Sequence, residues 1–364
     1  MTIKEITNSI EDFAPLSFQE SYDNSGLLIG DENSEISSVL LAIDITEEVI
    51  EEATKKQVGL IICHHPLIFS GLKRLTNKTL VERCVTKAIK NNIAIYACHT
   101  NIDSVEGGVS SMIAEKIGLQ STKILSPTKN SLCKLVTYAP SSHASEVRMA
   151  ILKAGAGNIG NYDHCSFNTN GYGTFRGNEN SKPFVGKIGE IHTEEEIKIE
   201  SIFPKHIQSK VLKAMFAAHP YEEVAYDIFN LENTYNKAGM GIIGKLSEPE
   251  DEMVFLKRLK DIFSVKMIRH SPLKRKPIEK VAVCGGAGSF LINNAIAVGA
   301  DILITGDIKY HQFFDADSKI VIADIGHFES EQYTTEIFYR IIKKKNANFA
   351  VHFSNINTNP INYI

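Results

Sequence analysis

The sequence of 364 residues contains no tryptophan and no run of about 18 consecutive apolar residues, the length that a membrane-spanning helix requires. Its first residues lack the apolar core of a secretory signal peptide. A strong charge of either sign is also missing, because the formal net charge is only −4. Such a balance provides no electrostatic attraction toward nucleic acids or anionic membranes. We therefore expect a cytoplasmic protein that binds neither nucleic acid nor membrane.

Cysteine is scarce, and its spacing excludes the common zinc motifs. None of the six cysteines forms a closely spaced pair, and several lie inside apolar segments. Buried, reduced thiols are the expected state, rather than disulfides or zinc ligands. The six residues are Cys63, Cys84, Cys98, Cys133, Cys165 and Cys284.

The most informative segment is an apolar strand that ends in two adjacent histidines, His64 and His65. Side chains alternate along a strand, so both rings can face one point only where the strand ends. Pro66 favours such an end because it lacks a backbone donor and restricts the residue before it. Two imidazoles at one point are typical of a divalent metal site. The alternative is one histidine in a loop and one packed against the next helix.

Two further segments strengthen the metal interpretation. One apolar strand is followed by His99 and Asp103. Another runs into a predicted helix, at about 328–344, whose first turns carry His327 and Glu331. The spacing of four residues places His327 and Glu331 on one face of that helix. A set of five ligands with two carboxylates exceeds what one tetrahedral zinc requires and fits two metal ions. The predicted ligands are His64, His65, Asp103, His327 and Glu331.

Other polar residues lie near the same predicted strand ends. Asp307 and His311 follow a strand with a spacing of four residues, and we predict that they carry protons or contact the ligands. His99 and Asp44 are predicted to orient the ligands. The glycine-rich stretch 285–289 predicts either an anion-binding turn or a plain tight turn, since it matches neither the Walker motif nor the dinucleotide fingerprint.

The order of the predicted elements indicates two domains. Strands and helices alternate up to about residue 120 and again after about 250, which predicts layered α/β sheets with flanking helices. The block between them reads strand, helix, strands, helix and strand, with glycine-rich turns around residues 155–177, an α+β ferredoxin-like pattern. If Asp103 and His327 bind one metal, this block is an insertion. The predicted domains are 1–125 together with 247–364, and the insert 126–246.

The segments that carry the predicted ligands, together with other stretches in the same order along the chain, resemble the dinuclear-metal family called GTP cyclohydrolase I type 2-like, or the Ngg-one-interacting-factor-three family. One departure is Tyr22, where the family usually carries tryptophan. The insert resembles the PII-like or CutA-like domain of the longer bacterial members. The outer matches are residues 22–27, 64–66, 99–103, 305–311, 326–331 and 358–360, and those in the insert are 160–163, 171–175 and 219–224.

The resemblance implies two divalent ions per chain on the same five ligands, with zinc first and manganese, iron or nickel as alternatives. It also implies a toroidal homohexamer with a small-molecule or nucleotide ligand in its inner cavity. The implied activity is that of a metal-dependent hydrolase that opens a purine nucleotide ring, as a GTP cyclohydrolase does. A two-metal phosphoesterase and a regulatory or scaffold hexamer without turnover are the alternatives.

Overall fold

The computed structural model describes residues 1–364 and contains fifteen β-strands. In chain order the strands are β1 Gly26–Ile29, β2 Ser38–Ala42, β3 Leu60–Cys63, β4 Ala94–Ala97, β5 Gln120–Thr128, β6 Leu132–Pro140, β7 Phe167–Phe175, β8 His192–Pro204, β9 Tyr226–Leu231, β10 Tyr235–Glu250, β11 Arg269–His270, β12 Ile278–Ala287, β13 Ile302–Gly306, β14 Val321–Asp324 and β15 Ala350–Phe353.

Eleven α-helices and four short 3₁₀ helices connect the strands. The α-helices are α1 Ile3–Glu11, α2 Glu47–Lys55, α3 Leu80–Lys90, α4 Thr100–Asp103, α5 Val109–Ile117, α6 Ala144–Lys153, α7 Gln208–Ala218, α8 Glu252–Phe263, α9 Ile292–Ala297, α10 His327–Glu331 and α11 Thr334–Lys345. The 3₁₀ helices are Leu16–Phe18, Lys205–Ile207, Ser289–Leu291 and Tyr310–Ala316. No helix is long and apolar enough to cross a membrane.

The chain divides into an outer unit, Met1–Pro127 with Asn236–Ile364, and an inserted unit, Thr128–Tyr235. The sequence predicted that the chain returns to the outer unit at residue 247. In the structure it returns at Asn236. The boundary differs because the strand β10 begins at Tyr235, and its glycine-containing first half already belongs to a sheet of the outer unit. Gly239 and Gly241 in that half adopt positive φ values within a long strand.

The first sheet of the outer unit has the strand order β1-β4-β3-β2-β15. Strands β4, β3, β2 and β15 are parallel, and β1 is antiparallel at one edge. Every residue of β2, β3 and β4 is buried, which explains their continuous apolar sequences. Threonine caps begin the helices that follow β2 and β3, with Thr46 accepting from Val49 and Thr79 from Glu82.

The second sheet of the outer unit has the strand order β11-β14-β13-β12-β10-β5. Its centre, β12, β13 and β14, is parallel, whereas β10 and β11 pair antiparallel to their neighbours. One apolar core joins residues of both sheets with helices α1, α5, α8 and α11. The predicted α/β class with flanking helices is therefore confirmed.

The inserted unit contains one antiparallel sheet with the strand order β7-β8-β6-β9. Helices α6 and α7 cover one face of this sheet and share its apolar core. The glycines at 171 and 173 were predicted to lie in turns, but both lie inside β7. The prediction was wrong because glycine has low strand propensity, whereas β7 gains its order from pairing with β8 over its whole length.

The helix predicted over 328–344 is interrupted. The structure contains the short helix α10 and the longer helix α11, with Gln332 and Tyr333 between them. The side-chain amide of Gln332 donates to the carbonyls of Phe263 and Glu329, which fixes the break. Because the break follows Glu331, the pair His327 and Glu331 still shares one helix.

Candidate metal centre

The two adjacent histidines lie immediately after β3, at the carboxyl edge of the first sheet. The backbone N–H groups of His64 and His65 both donate to the carbonyl of Ile43, at 3.1 and 3.0 Å, which ends the strand and turns the chain. The imidazole of His64 is fully buried. Its Nδ1 lies 2.9 Å from the carbonyl oxygen of Cys98 and donates to it, so Nε2 is directed toward Asp103 and Glu331.

Asp103 comes from the next strand connection, at the end of the short helix α4 that follows β4. Asn101 anchors this helix by donating to the carbonyl of Ala14 at 2.8 Å. The carboxylate Oδ1 of Asp103 lies 3.7 Å from Nε2 of His64. The first sheet thus contributes His64, His65 and Asp103 to one place.

His327 and Glu331 come from the second sheet, on the helix that follows β14. Gly326 precedes this helix with φ of +93°, a conformation that favours glycine. The nitrogen Nε2 of His327 lies 3.1 Å from Oε2 of Glu331 and 3.3 Å from Nε2 of His65. The structure therefore brings together all five residues that the sequence singled out.

The five residues form two overlapping groups, each able to hold a cation. One group contains His64, Asp103 and Glu331, and the other contains His65, His327 and Glu331, with the donor atoms of each group within 4.8 Å of one another. Glu331 belongs to both groups. Its Oε1 lies 3.5 Å from Nε2 of His64, and its Oε2 lies 3.0 Å from Nε2 of His65.

The buried polar atoms of this cluster fit a metal ion. Nε2 of His64 and Oδ1 of Asp103 are both buried and have no hydrogen-bond partner. Buried polar atoms normally find a partner, because an unpaired one costs about 1–3 kcal/mol. Imidazole nitrogen and carboxylate oxygen are both donors that divalent metals accept. The residues present therefore suit a divalent cation.

The electrostatics of the cluster also favour added positive charge. Burial raises the pKa of Asp103 well above its usual range. Burial acts in the same direction on Glu331, but the surrounding imidazoles, His64 first, lower its pKa well below the usual range. For His65 and His327 burial lowers the pKa, yet the neighbouring carboxylates outweigh it and raise the values to about 10 and about 9. Without a metal these imidazoles hold protons at neutral pH, and a metal has to displace them.

Two aspartates orient the ligand imidazoles. Oδ1 of Asp44 lies 2.6 Å from Nδ1 of His65, and Oδ2 of Asp307 lies 2.8 Å from Nδ1 of His327. Contacts of this kind fix the tautomer and leave Nε2 facing the cluster. The sequence predicted an orienting role for Asp44, and for Asp307 it predicted ligand contact or proton transfer. His311 lies on an exposed 3₁₀ helix, where its ring contacts Tyr310 and Phe314 and makes no hydrogen bond to the cluster.

His99 lies closer to the cluster than an orienting role would require. Its ring centroid is 5.3 Å from that of His64 and 5.4 Å from that of His65, and the three imidazoles form a third potential metal group. Its Nδ1 lies 2.8 Å from Oδ1 of Asp23, a carboxylate that also accepts from the hydroxyl and N–H of Thr100. Sequence reasoning missed Asp23 as a site residue, although the stretch 22–27 that contains it was among the family matches.

The glycine-rich stretch 285–289 lies against the cluster and is not an anion-binding turn. The N–H groups of Gly286 and Gly288 donate to the hydroxyls of Ser330 and Thr305, at 2.9 and 2.8 Å. A Cβ added at Gly286 would overlap Oε1 of Glu331. The glycine at this position is required because the backbone passes directly beside the carboxylate that both groups share.

Comparison with known proteins assigns the chain to a family. The profile of Duf34/NIF3 (NGG1p interacting factor 3) matches residues 1–360. A relative from Halalkalibacterium halodurans, named GTP cyclohydrolase 1 type 2 homolog, is 40% identical over 359 residues, covering 97% of this chain and 96% of the relative. A relative of the same name from Bacillus subtilis is 37% identical over 366 residues, covering 99% and 98%.

Solved structures agree with this relationship over the full length. The crystal structure of a Bacillus cereus protein related to NIF3 superposes with a TM-score of 0.87 at 40% identity, covering 100% of this chain and 99% of that one. A Staphylococcus aureus protein superposes with a TM-score of 0.79 at 29% identity, covering 100% and 99%. The chain therefore belongs to the Duf34/NIF3 (NGG1p interacting factor 3) family.

Proposed function

We propose that this protein is a metal-dependent hydrolase that holds two divalent ions. One ion would be held by His64, Asp103 and Glu331, and the other by His65, His327 and Glu331. The observation that carries the proposal is the sharing of Glu331 between two donor groups, one of which contains buried, unpaired donor atoms. Two divalent ions, when bound, supply Lewis acidity and an acidified water molecule.

The residues around the ligands prepare them for this role. The carbonyl of Cys98 and the carboxylates of Asp44 and Asp307 each hold one imidazole by its Nδ1 atom. Each Nε2 atom is thereby directed into the cluster before a metal arrives, which reduces the cost of ordering the ligands, and the metal displaces the protons that His65 and His327 hold. We propose zinc first, with manganese, iron or nickel as alternatives, because mixed imidazole and carboxylate donors accept all four.

For proton transfer we propose Asp307 and His311, as the sequence suggested, and add His99. The side chain of Asp307 is about half exposed while its Oδ2 contacts His327, so it can exchange protons between solvent and the cluster. His99 is held by the Asp23 carboxylate through Nδ1 and packs against the imidazoles of two proposed ligands. A carboxylate that holds one imidazole nitrogen leaves the other free to accept or donate a proton.

The proposed substrate is a purine nucleotide whose ring is opened by hydrolysis. Support comes from the name that the Halalkalibacterium halodurans and Bacillus subtilis relatives share, GTP cyclohydrolase 1 type 2 homolog. Phosphate ester hydrolysis remains the second reaction that paired metals would serve. We further propose that the chain assembles as a homohexamer whose inner cavity receives the substrate.

The inserted unit is proposed to be ferredoxin-like, in the manner of PII and CutA domains. Its element order is β6, α6, β7, β8, α7 and β9, and its antiparallel sheet order is β7-β8-β6-β9. This order is that of a split βαβ unit repeated once, which supports the assignment.

The first test is metal content per chain, measured by mass spectrometry on protein purified without added metal and without an affinity tag. We expect about two ions per chain in the native protein and a clear loss in the Asp103→Ala variant. Hydrolysis of GTP and of a phosphodiester would then be assayed with the metal that was found. Asp163→Ala is the matched control, because Asp163 is an exposed aspartate of the inserted unit.

Each result separates the alternatives. Loss of turnover in Asp103→Ala, with an unchanged oligomer, supports an enzyme. Two ions without turnover on either substrate class would favour a regulatory or scaffold assembly. A native protein that carries no ion and takes none up on titration would refute the proposed metal centre.

A further inference from the structure

A cavity of about 600 Å³ lies in the inserted unit, which contains none of the proposed metal ligands. Its floor is formed by β6, β7 and β8, on the sheet face opposite α6 and α7, and includes Tyr138, Gly171 and Glu196. The segment after β7 and the loop after α7 close its sides, and the N–H of Lys182 joins them by donating to Glu222 at 2.6 Å. This volume lies within the range of small-molecule sites.

Two glycines of β7 create the space. Gly171 and Gly173 are two residues apart in one strand, so both positions face the same side of the sheet. A Cβ at Gly171 would meet nothing within 4 Å, whereas a Cβ at Gly173 would overlap the Glu196 carboxylate. Glycine inside a strand weakens it, and its presence often marks a close approach by a ligand or by another group.

Aromatic rings form the walls of this cavity. The ring centroid of Tyr221 lies 6.0 Å from that of Phe175 and 6.3 Å from that of Phe184, and both pairs are strongly inclined. Tyr138 also lines the cavity. Several aromatic rings around one space provide the negative ring faces that attract a cation.

A hydrogen-bonded carboxylate completes the lining. The Tyr221 hydroxyl donates to Oε1 of Glu196 at 3.0 Å, and burial together with this carboxylate raises the pKa of the Tyr221 phenol, which keeps it protonated. His219 fixes the loop that carries Tyr221, because its Nε2 donates to the carbonyl of Tyr138 and its Nδ1 accepts the Tyr221 N–H. Glu196 is therefore held in a prepared position.

Carboxylates outnumber cations in the lining by three to two. Glu196, Glu222 and Glu223 contribute carboxylates, whereas the ammonium group of Lys198 is paired with Glu200 at 3.1 Å. Arg176, Glu222 and Glu223 are all exposed to solvent, so the half-buried Glu196 is the carboxylate that lies among the aromatic rings. We infer that this cavity binds a small organic cation of the alkylammonium class, whose carbon atoms contact the aromatic rings and whose charged nitrogen faces Glu196.

The test uses the full-length protein and choline or spermidine as probes, with binding followed by NMR titration at low ionic strength. We expect at least one probe to bind with a Kd at or below about 1 mM. The neutral isostere of choline, 3,3-dimethylbutan-1-ol, should bind at least about ten-fold more weakly, because it lacks the charge that the rings and Glu196 attract.

Variants locate the binding. Glu196→Gln keeps the acceptor for Tyr221 but removes the charge, and should weaken the cation about ten-fold. Gly171→Leu fills the open space and should abolish binding. Glu195→Gln is the matched control, because Glu195 is the adjacent residue of β8, lies on the opposite side of the sheet and does not line the cavity. This variant should bind the cation with native affinity.

Three results would overturn the inference. The first is absence of binding by both probes up to about 10 mM, which is weaker than any useful site. The second is equal affinity for choline and its neutral isostere, or an unchanged affinity in Glu196→Gln. The third is preferential, competitive binding of adenosine monophosphate, which would identify the aromatic walls as a stacking site for a planar ring.

Discussion

Glu331 is the residue on which both halves of the proposed metal centre depend. It is almost completely buried, and each of its carboxylate oxygens faces a different imidazole. The backbone of Gly286 supports it from behind, in a conformation with φ of +59°. The Glu331 carboxylate can occupy this position only because Gly286 has no side chain.

Gly286→Ala should reduce metal affinity by at least about ten-fold, because the added methyl group displaces Glu331 from both donor groups. It should also lower the free energy of unfolding by about 1–2 kcal/mol, because an alanine is strained at the positive φ that Gly286 adopts. Competition with a chromophoric chelator measures the affinity, and chemical denaturation measures the stability.

Gly299→Ala is the control for this prediction. Gly299 has φ of +71°, and a Cβ there would meet nothing within 4 Å. The substitution should therefore cost similar stability through the backbone and leave metal affinity unchanged. Equal metal affinity in the two variants would show that the approach of Gly286 to Glu331 has no role.

At the scale of elements, the segment 354–364 that follows β15 makes hydrogen bonds to residues beside the proposed metal centre. The hydroxyl of Thr358 donates to Oδ2 of Asp44 at 2.5 Å, and Asp44 holds His65. The amide of Asn359 donates to Glu329 at 3.0 Å. Ser354 and Asn355 fasten the start of this segment to Glu52 of helix α2.

A chain that ends at Ser354 should fold but bind metal more weakly, by about ten-fold, because Asp44 loses the contact that holds it toward His65. β15 is retained, so the circular dichroism spectrum should remain native. A chain that ends at Pro360 keeps Thr358 and Asn359 and serves as the control. The idea fails if both truncations bind metal equally well.

The loop before α3 depends on one carboxylate. Glu82 accepts hydrogen bonds from the hydroxyl and N–H of Thr76 and from the N–H of Lys78, and these bonds lower its pKa to about 2. Because the value in the folded state is depressed, the stabilisation is complete above the unfolded value of about 4.3 and is lost as the pH falls toward 2.

Glu82→Gln should therefore be less stable than the native protein at pH 7, and the difference should shrink as the pH falls from about 4.5 toward 2. Denaturant unfolding at several pH values measures this difference. Glu48→Gln is the control on helix α2, because no hydrogen bond from a backbone N–H to the Glu48 carboxylate is present. A difference that stays constant with pH would contradict the assignment to Glu82 ionisation.

At the scale of the whole molecule, the proposed ligands come from both sheets of the outer unit. His64, His65 and Asp103 follow strands of the first sheet, whereas His327 and Glu331 follow a strand of the second. A bound ion would therefore join parts of the outer unit that are distant in sequence. Binding energy at such a site adds directly to the stability of the folded state.

Metal removal with a chelator should lower the melting temperature of the native protein by about 10 °C, since saturation at about a thousand times Kd contributes about 4 kcal/mol. The Asp103→Ala variant should melt at the lower temperature even before chelation. Differential scanning calorimetry measures both values. An unchanged melting temperature in chelated native protein would mean that no ion contributes to folding.

Local patterns predicted the α/β class, because buried parallel strands are recognisable as short apolar runs. The same patterns indicated His64, His65, Asp103, His327 and Glu331, since each follows such a run at a strand end. The start of β10, the glycines inside β7 and the break after α10 were not predicted. In these places pairing with distant strands or single side-chain contacts, such as those of Gln332, outweigh local propensity.

Contacts between residues distant in sequence were also beyond prediction. Asp23 meets His99 across 76 positions, and Thr358 meets Asp44 across 314. Neither pair leaves a periodic signal, because each side chain lies in an irregular segment. Their roles emerge only when the strands have been placed side by side.

The pairing of β5 with β10 has a practical consequence for protein engineering. A Cβ on Gly239 would meet Ser126 and Pro127, whereas one on Gly244 would meet Leu119 and Gln120, so the two strands run in opposite directions. The ends left by excising Thr128–Tyr235 are therefore adjacent, and a tight turn of a few residues can join them as an ordinary hairpin. A chain shortened in this way would lack the inserted unit but keep all five proposed metal ligands, and could serve as a smaller protein for studying the metal centre.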